Sequence, residues 1–190
     1  TTLYEAYSNG TDADLPVLPI QYADFAVWQR NYLSGERLDQ HLNYWEQQLD
    51  GLPPLLELPT DRPRPPVQSY KGATVTCQFD QRLTEKLHQL SRDNNATLYM
   101  VMLAAFDILL YKYSNQTDFA TGTLIANRKN SDLEGLIGFF INTLVLRTVV
   151  DPAASYQSLL TQVRHNLLDA YRHQDLPFEY LVDRLKVERN

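Results

Sequence analysis

Apolar positions recur along the chain with two periods, and the period changes where proline and glycine fall. Leu38, Leu42, Trp45 and Leu49 repeat at i, i+4, i+7 and i+11, one face of a helix. They belong to a helical region from Gln21 to Asp50, broken at Ser34-Gly35 and ended by Gly51 as a C-terminal cap. Before it, Leu3, Tyr4 and Tyr7 read as the end of a helix, and Asn9-Gly10, Pro16 and Pro19 as loop. Leu52–Val67 is too rich in proline for regular structure and reads as a stiff, extended crossing segment. Ala73, Val75, Cys77 and Phe79 alternate with polar residues, which predicts a strand with one buried face and makes Cys77 a small core residue. Arg82–Asp93 is a helix with Leu83, Leu87 and Leu90 on one stripe. Thr97 caps a further helix, Leu98–Tyr113, whose inward face is read as Leu98, Met102, Ala105, Phe106, Leu109 and Tyr113. Phe119–Ile125 and Thr143–Val150 are strands, the second apolar enough to be buried on both faces. Ser155 caps a helix to about Tyr171 with Leu159, Leu160, Val163 and Leu167 inward, and Pro177 begins a last helix. Helices and strands alternate, which predicts an α/β fold with a sheet covered by helices.

Composition narrows the class. The 190 residues carry a net charge of −6, with 44% hydrophobic and 11% aromatic residues. That is enough apolar material for a core, and the acidic balance argues against a general nucleic-acid binder. The longest apolar run, about Leu98–Leu110, is interrupted by Asp107 and falls short of the ~20 residues of a membrane span. No signal peptide is visible, one cysteine permits no internal disulfide, and the expectation is a soluble, cytoplasmic protein. Charge is uneven: residues 1–66 hold 4 basic and 10 acidic residues, whereas residues 67–190 hold 13 of each. Six prolines lie between Pro53 and Pro66. Charge and proline content change together, so a boundary is expected near residue 66.

Candidate chemistry is sparse. No histidine pair has zinc spacing, and no metal site is expected. His41, His88 and His165 read as solvated helix positions. Asn9, Asn95 and Asn115 each begin an Asn-x-Thr sequence, taken as chance matches. His173-Gln174-Asp175-Leu176-Pro177-Phe178-Glu179 is a polar cluster between two helices. Read locally it is a capping turn: Asp175 caps, Pro177 begins the helix, and Glu179 meets the dipole in the first turn. In Ile137-Gly138-Phe139-Phe140-Ile141-Asn142-Thr143 a glycine enters an aromatic run and one amide sits among apolar residues. Asn142 either bonds backbone at a strand start or lines a channel; spacing leaves both open.

Three separated segments together carry a resemblance. Tyr22-Ala23-Asp24-Phe25-Ala26-Val27-Trp28 resembles the fourth core motif of the condensation domains of nonribosomal peptide synthetases. The 137–143 stretch with Arg147 four residues on resembles the fifth, and the 173–179 stretch the sixth. Leu58–Pro65 and Gly122–Arg128 are similar to connecting text of the same family, with Leu124 where a proline is usual. The order and spacing extend the resemblance over essentially the whole chain.

The resemblance implies a chloramphenicol-acetyltransferase-like fold of two lobes around a tunnel, here partial: residues 1–66 as the end of the N-terminal lobe with the crossing segment, and 67–190 as part of the C-terminal lobe. It implies amide bond formation between aminoacyl or peptidyl thioesters, part of antibiotic and other secondary metabolite biosynthesis. No cofactor is expected to be bound; phosphopantetheine is presented by carrier-protein (thiolation) domains. Those carriers, an adjacent adenylation domain and the remainder of the condensation domain are the expected partners, with no nucleic acid and no membrane. The family's His-His-x-x-x-Asp-Gly catalytic motif is not in this sequence, so no catalytic residue is assigned and the chain alone is expected to be inactive. By resemblance Asn142, His173, Gln174 and Asp175 are tunnel or substrate-positioning candidates, and Arg128 pairs with the aspartate of the absent motif. Tyr22, Asp24, Trp28, Gly138, Arg147, Pro177 and Glu179 are motif scaffold. A non-catalytic carrier-binding module of the same fold, or an epimerisation or heterocyclisation variant, are the alternatives. A cut lobe is also expected to expose apolar surface and to aggregate.

Overall fold

A computed structural model describes residues 2–63, 65, 67 and 69–185. The expected boundary at residue 66 and the terminal residues 186–190 lie outside the described residues. The elements run α1 (Thr2–Asn9), α2 (Tyr22–Tyr32), α3 (Gly35–Leu49), α4 (Gln81–Asp93), α5 (Leu98–Ser114), β1 (Asp118–Ile125), a 3₁₀ turn (Ser131–Leu133), β2 (Asn142–Val149), α6 (Tyr156–Arg172) and α7 (Phe178–Leu185). Thr97 and Ser155 accept from Met100 and Ser158 amides as N-caps, and Asp80 does the same for Leu83 on α4. Side-chain oxygens there satisfy amides that the first helical turn leaves unpaired. Asn115 ends α5 in the left-handed region, at φ 58°, so one of the Asn-x-Thr sequences is a helix cap.

β1 and β2 pair antiparallel, Phe119 opposite Thr148 and Ile125 opposite Asn142. On β2, Asn142, Leu144, Leu146 and Thr148 are buried and the alternate residues are half-buried or exposed. The strand is therefore buried on one face more fully than the other, not equally on both as its run of Leu and Val suggests. The main core joins Trp45 and Leu49 of α3, Val101 and Ala104 of α5, Leu144 and Leu146 of β2, Leu160, Val163 and Leu167 of α6, and Leu181 of α7. Arg147 ties these layers: its guanidinium grips Asp118 bidentately (2.9 and 2.7 Å) and donates to the Gln48 and Asp50 carbonyls at the end of α3. A planar fork with five donors can serve two directions at once, which an ammonium cannot. The crossing segment is held by Gln116, which accepts from Glu57 N–H and donates to the Leu55 carbonyl.

Three expectations are corrected here. Residues 73–79 form no strand: the segment has no ladder partner among the described residues, Val75 is 93% exposed, and Cys77 is exposed rather than in the core. Alternation specifies two faces but supplies no neighbour to bond the backbone. The inward face of α5 is the opposite one: Met100, Val101, Ala104, Asp107 and Leu110 are buried, while Met102, Phe106, Leu109 and Tyr113 are 36–64% exposed. A helix apolar all round does not announce which side its neighbours cover. His41 is buried, not solvated, because it shares the α3 face of Trp45 and Leu49. Among the described residues no single helix is long and apolar enough to cross a membrane.

Candidate functional site

The 173–176 turn between α6 and α7 is fastened at its base by one amide. Asn142, buried at the start of β2, donates through Nδ2 to the Gln174 and Leu176 carbonyls (2.9 and 2.8 Å). Its Oδ1 accepts from Thr143 N–H and from Phe178 N–H, the first amide of α7. Two donors and two acceptor lone pairs are all engaged, which is the full capacity of a primary amide. Of the two open readings of Asn142, these bonds carry the first and extend it: its side chain bonds backbone at the strand start and also in a remote turn. The cap of α7 comes from Asn142 across the fold. Asp175, expected to cap, instead forms an ion pair with Lys129. Pro177 precedes α7, its carbonyl accepting from Tyr180 and Leu181, and Glu179 is exposed in the first turn.

The His173 ring packs parallel to Tyr44 (centroids 3.9 Å apart, planes at 8°), and its carbonyl accepts from Trp45 Nε1 at 3.1 Å. Its Nδ1 lies 3.1 Å from Nδ1 of His41. Burial lowers the pKa of both imidazoles, and Tyr44 is pushed up to about 12, chiefly by burial and then by Asp169. Gln174 donates back to the Tyr171 carbonyl. His41 is the participant that sequence reasoning missed. Its spacing of four from Trp45 and eight from Leu49 was the available signal.

The other two motifs pack on each other beside this turn. The Tyr22 hydroxyl donates to the Phe139 carbonyl (2.9 Å), and its ring meets Phe140 edge-on. A Cβ on Gly138 would overlap the Tyr22 ring, which accounts for the glycine in the aromatic run. Asp24 accepts from Gln21 N–H at the start of α2, and Trp28, half-exposed, stacks on Tyr32. Arg128 lies over the Phe140 ring at 4.0 Å and donates to the Leu133, Glu134 and Leu136 carbonyls, closing the loop around the 3₁₀ turn. Phe25, Trp28, Tyr32 and Leu133 wall a cavity of about 490 Å³ with Lys129 and Asp175 also in its lining. So Asn142, His173, Gln174 and Asp175 converge on one turn, Arg128 belongs to the adjoining loop, and Arg147 sits apart at the far end of the sheet.

A second polar feature escaped the sequence reading. Asp107 is fully buried in α5 and accepts from Thr148 Oγ1 at 2.8 Å, with its pKa raised to about 6 by burial. Its Oδ1 has no hydrogen-bond partner among the described residues, nor has Thr121 Oγ1. No group of three or more side chains suited to a metal ion occurs among the described residues.

The family model for condensation domains matches residues 1–190. A linear gramicidin synthase protein of Brevibacillus parabrevis is 53% identical over 189 residues, which is 100% of this chain and 2% of that protein. The X-domain from teicoplanin biosynthesis superposes with a TM-score of 0.91 at 27% identity, over 100% of this chain and 43% of that one. The four-domain nonribosomal peptide synthetase AB3403, solved with AMP and glycine, gives a TM-score of 0.82 at 27% identity, over 94% of this chain and 13% of that one. The chain thus spans a small part of the synthetase it matches and less than half of the X-domain.

Proposed function

The chain belongs to the condensation domain family, and we propose that it forms one side of the cleft in which such a domain joins two carrier-bound thioester substrates. In that reaction the amine of one aminoacyl thioester attacks the thioester carbonyl of the other. The C–S bond breaks, the amine proton leaves, and a thiol is released on the donor's phosphopantetheine arm, which belongs to the carrier protein. The observation that carries this reading is the family match along the entire chain, with the 22–28 motif packed on the 137–143 motif and Asn142 of the latter bonded to the 173–176 turn.

The roles divide by what each side chain still has to offer. Asn142 acts at one remove, because its amide is spent on the turn. His173, Gln174 and Asp175 are the cleft-side candidates that it positions. Arg128 uses Nη1 and Nη2 on backbone carbonyls. Its Nε–H is not engaged among the described residues, which leaves a donor for the aspartate of the catalytic motif. The test is amide formation between two loaded carriers by a condensation domain containing this chain. Arg128→Ala should lower the rate sharply with the carriers' loading unchanged, and wild-type turnover would remove the pairing role.

A second reading has support from one likeness. The X-domain gives the higher TM-score of the two solved structures, and that domain has been solved in complex with OxyB. A recruiting module without condensation activity would bind a partner protein through this fold. The 53% identity to a gramicidin synthase favours the first reading. Carrier-dependent amide formation separates the two.

A further inference from the structure

The Nδ1–Nδ1 contact between His41 and His173 joins α3 to the 173–176 turn, and His173 is at the same time one of the cleft-side candidates. We propose that His41 and His173 form a one-proton clasp: the turn is held against α3 while the pair carries at most one proton, and a second proton releases it.

The geometry sets the limit. With Nδ1 facing Nδ1 at 3.1 Å, one nitrogen must donate and the other accept. Two neutral rings of suitable tautomers satisfy that, and so does one imidazolium beside one imidazole. Two imidazolium rings put two N–H groups and two positive charges face to face. The rings meet at 82° with centroids 5.1 Å apart, so the contact is directional and not a stack.

The surrounding charges do not accommodate a second proton. His41 is faced by Arg37 on its own helix, by Lys129 from the loop after β1 and by Asp175 of the turn. His173 is faced by Asp169 and Arg172 of α6 and by the neutral Tyr44 ring of α3. Both carboxylates are already engaged, Asp175 by Lys129 and Asp169 by Arg172. Three cations and two paired anions leave no uncommitted negative charge for a doubly protonated pair. Burial acts in the same direction, lowering both pKa values.

The sign follows from linkage. Each histidine binds its proton more readily unfolded than folded, so the clasp contributes its full stability above the ordinary histidine pKa of about 6.5 and loses it as pH falls below that value. What opens is a joint between elements: the His173 ring leaves Tyr44, and the Trp45 indole loses the His173 carbonyl as acceptor.

The test follows the imidazole nitrogens of His41 and His173 by NMR from about pH 8 to about pH 5. His41 and His173 should titrate in two separated, mutually dependent steps, with the Trp45 indole N–H resonance shifting at the second. Two independent curves, each at the ordinary histidine value of about 6.5, would overturn the proposal. A second arm compares denaturation of the wild type with His41→Gln, which keeps a polar partner that does not titrate. Over the same interval the wild-type folding equilibrium constant should fall at least about tenfold more than the variant's. Equal falls would also overturn it. The difference between the two proteins removes the contribution of Asp107, which has the opposite sign. Both arms are run with and without a chelator; a clasp that depends on added metal ion is a two-histidine metal site, and the proton-counting role is then wrong.

Discussion

The 173–176 turn and the outer face of α5 contrast in the opposite sense to what their hydropathy suggests. The turn is polar in sequence, yet its His173, Gln174 and Leu176 carbonyls, the His173 ring and the Asp175 carboxylate are bonded inside the fold, through Trp45, Asn142, His41 and Lys129. The α5 face is apolar in sequence, yet Met102, Phe106, Leu109 and Tyr113 are exposed. Polar atoms removed from water demand specific partners, because each orphan costs ~1–3 kcal/mol. Apolar atoms need only cover, and a helix can present them on either side. The polar region is therefore the rigidly specified one. Four substitutions, the last set beside a core control, probe that difference in descending order of effect.

Asn142→Leu should be the most damaging of the four. It leaves the Gln174 and Leu176 carbonyls and the Phe178 amide without partners in a buried setting. The expected loss is about 3–5 kcal/mol by chemical denaturation, at the upper end for single substitutions. A loss below about 1 kcal/mol would mean that the turn stands without its amide, and the contrast with α5 would collapse.

Arg147→Lys should cost about 1–3 kcal/mol, since an ammonium cannot replace the bidentate grip on Asp118 and also reach the Gln48 and Asp50 carbonyls. The same pairing holds the Asp118 carboxyl below its ordinary pKa, first through the hydrogen bond. Its stability is present above the ordinary carboxylate pKa of about 3.9 and lost as pH falls further. Acid denaturation curves of the wild type and the variant should therefore converge at low pH.

Asp107→Asn probes a buried polar group that is only half satisfied. With its folded pKa raised to about 6, Asp107 binds its proton more tightly folded than unfolded. That contribution is present below a pH of about 4 and is lost as pH rises through about 6. The amide removes the dependence, so the variant should gain on the wild type by about 1–3 kcal/mol at neutral pH and lose that advantage in acid. Parallel pH profiles would contradict the assignment.

Which parts of this were legible in the sequence follows from the same contrast. Period and caps placed α3 to α6 and both strands within a residue or two, because Thr97, Ser155 and Gly51 act on neighbours in the chain. The motif residues were found, but their partners were not. That Asn142 rather than Asp175 caps α7 depends on a strand 36 residues away in sequence. His41 was misplaced because hydropathy ranks histidine as polar, while its position on the Trp45 face and the ring opposite it decide its burial. The strand expected at 73–79 failed for a similar reason: alternation was real, and no neighbouring strand lies beside it among the described residues.

The smallest effect is expected on the α5 face, where the comparison is most exposed to refutation. Phe106 is 48% exposed, so Phe106→Ser removes only about half the cover of a core phenylalanine and should cost no more than about 1 kcal/mol. Phe119, 2% exposed on β1, is the matched control, and Phe119→Ala should cost about 3–5 kcal/mol. The two phenylalanines have the same side chain and differ chiefly in cover. Phe106→Ser should also raise the concentration at which the chain remains dispersed, read by light scattering, because an apolar stripe at helical spacing is a ready surface for association. A loss for Phe106→Ser comparable to that for Phe119→Ala would show that the α5 face is packed in solution, and the sequence-based choice of inward face would be right after all.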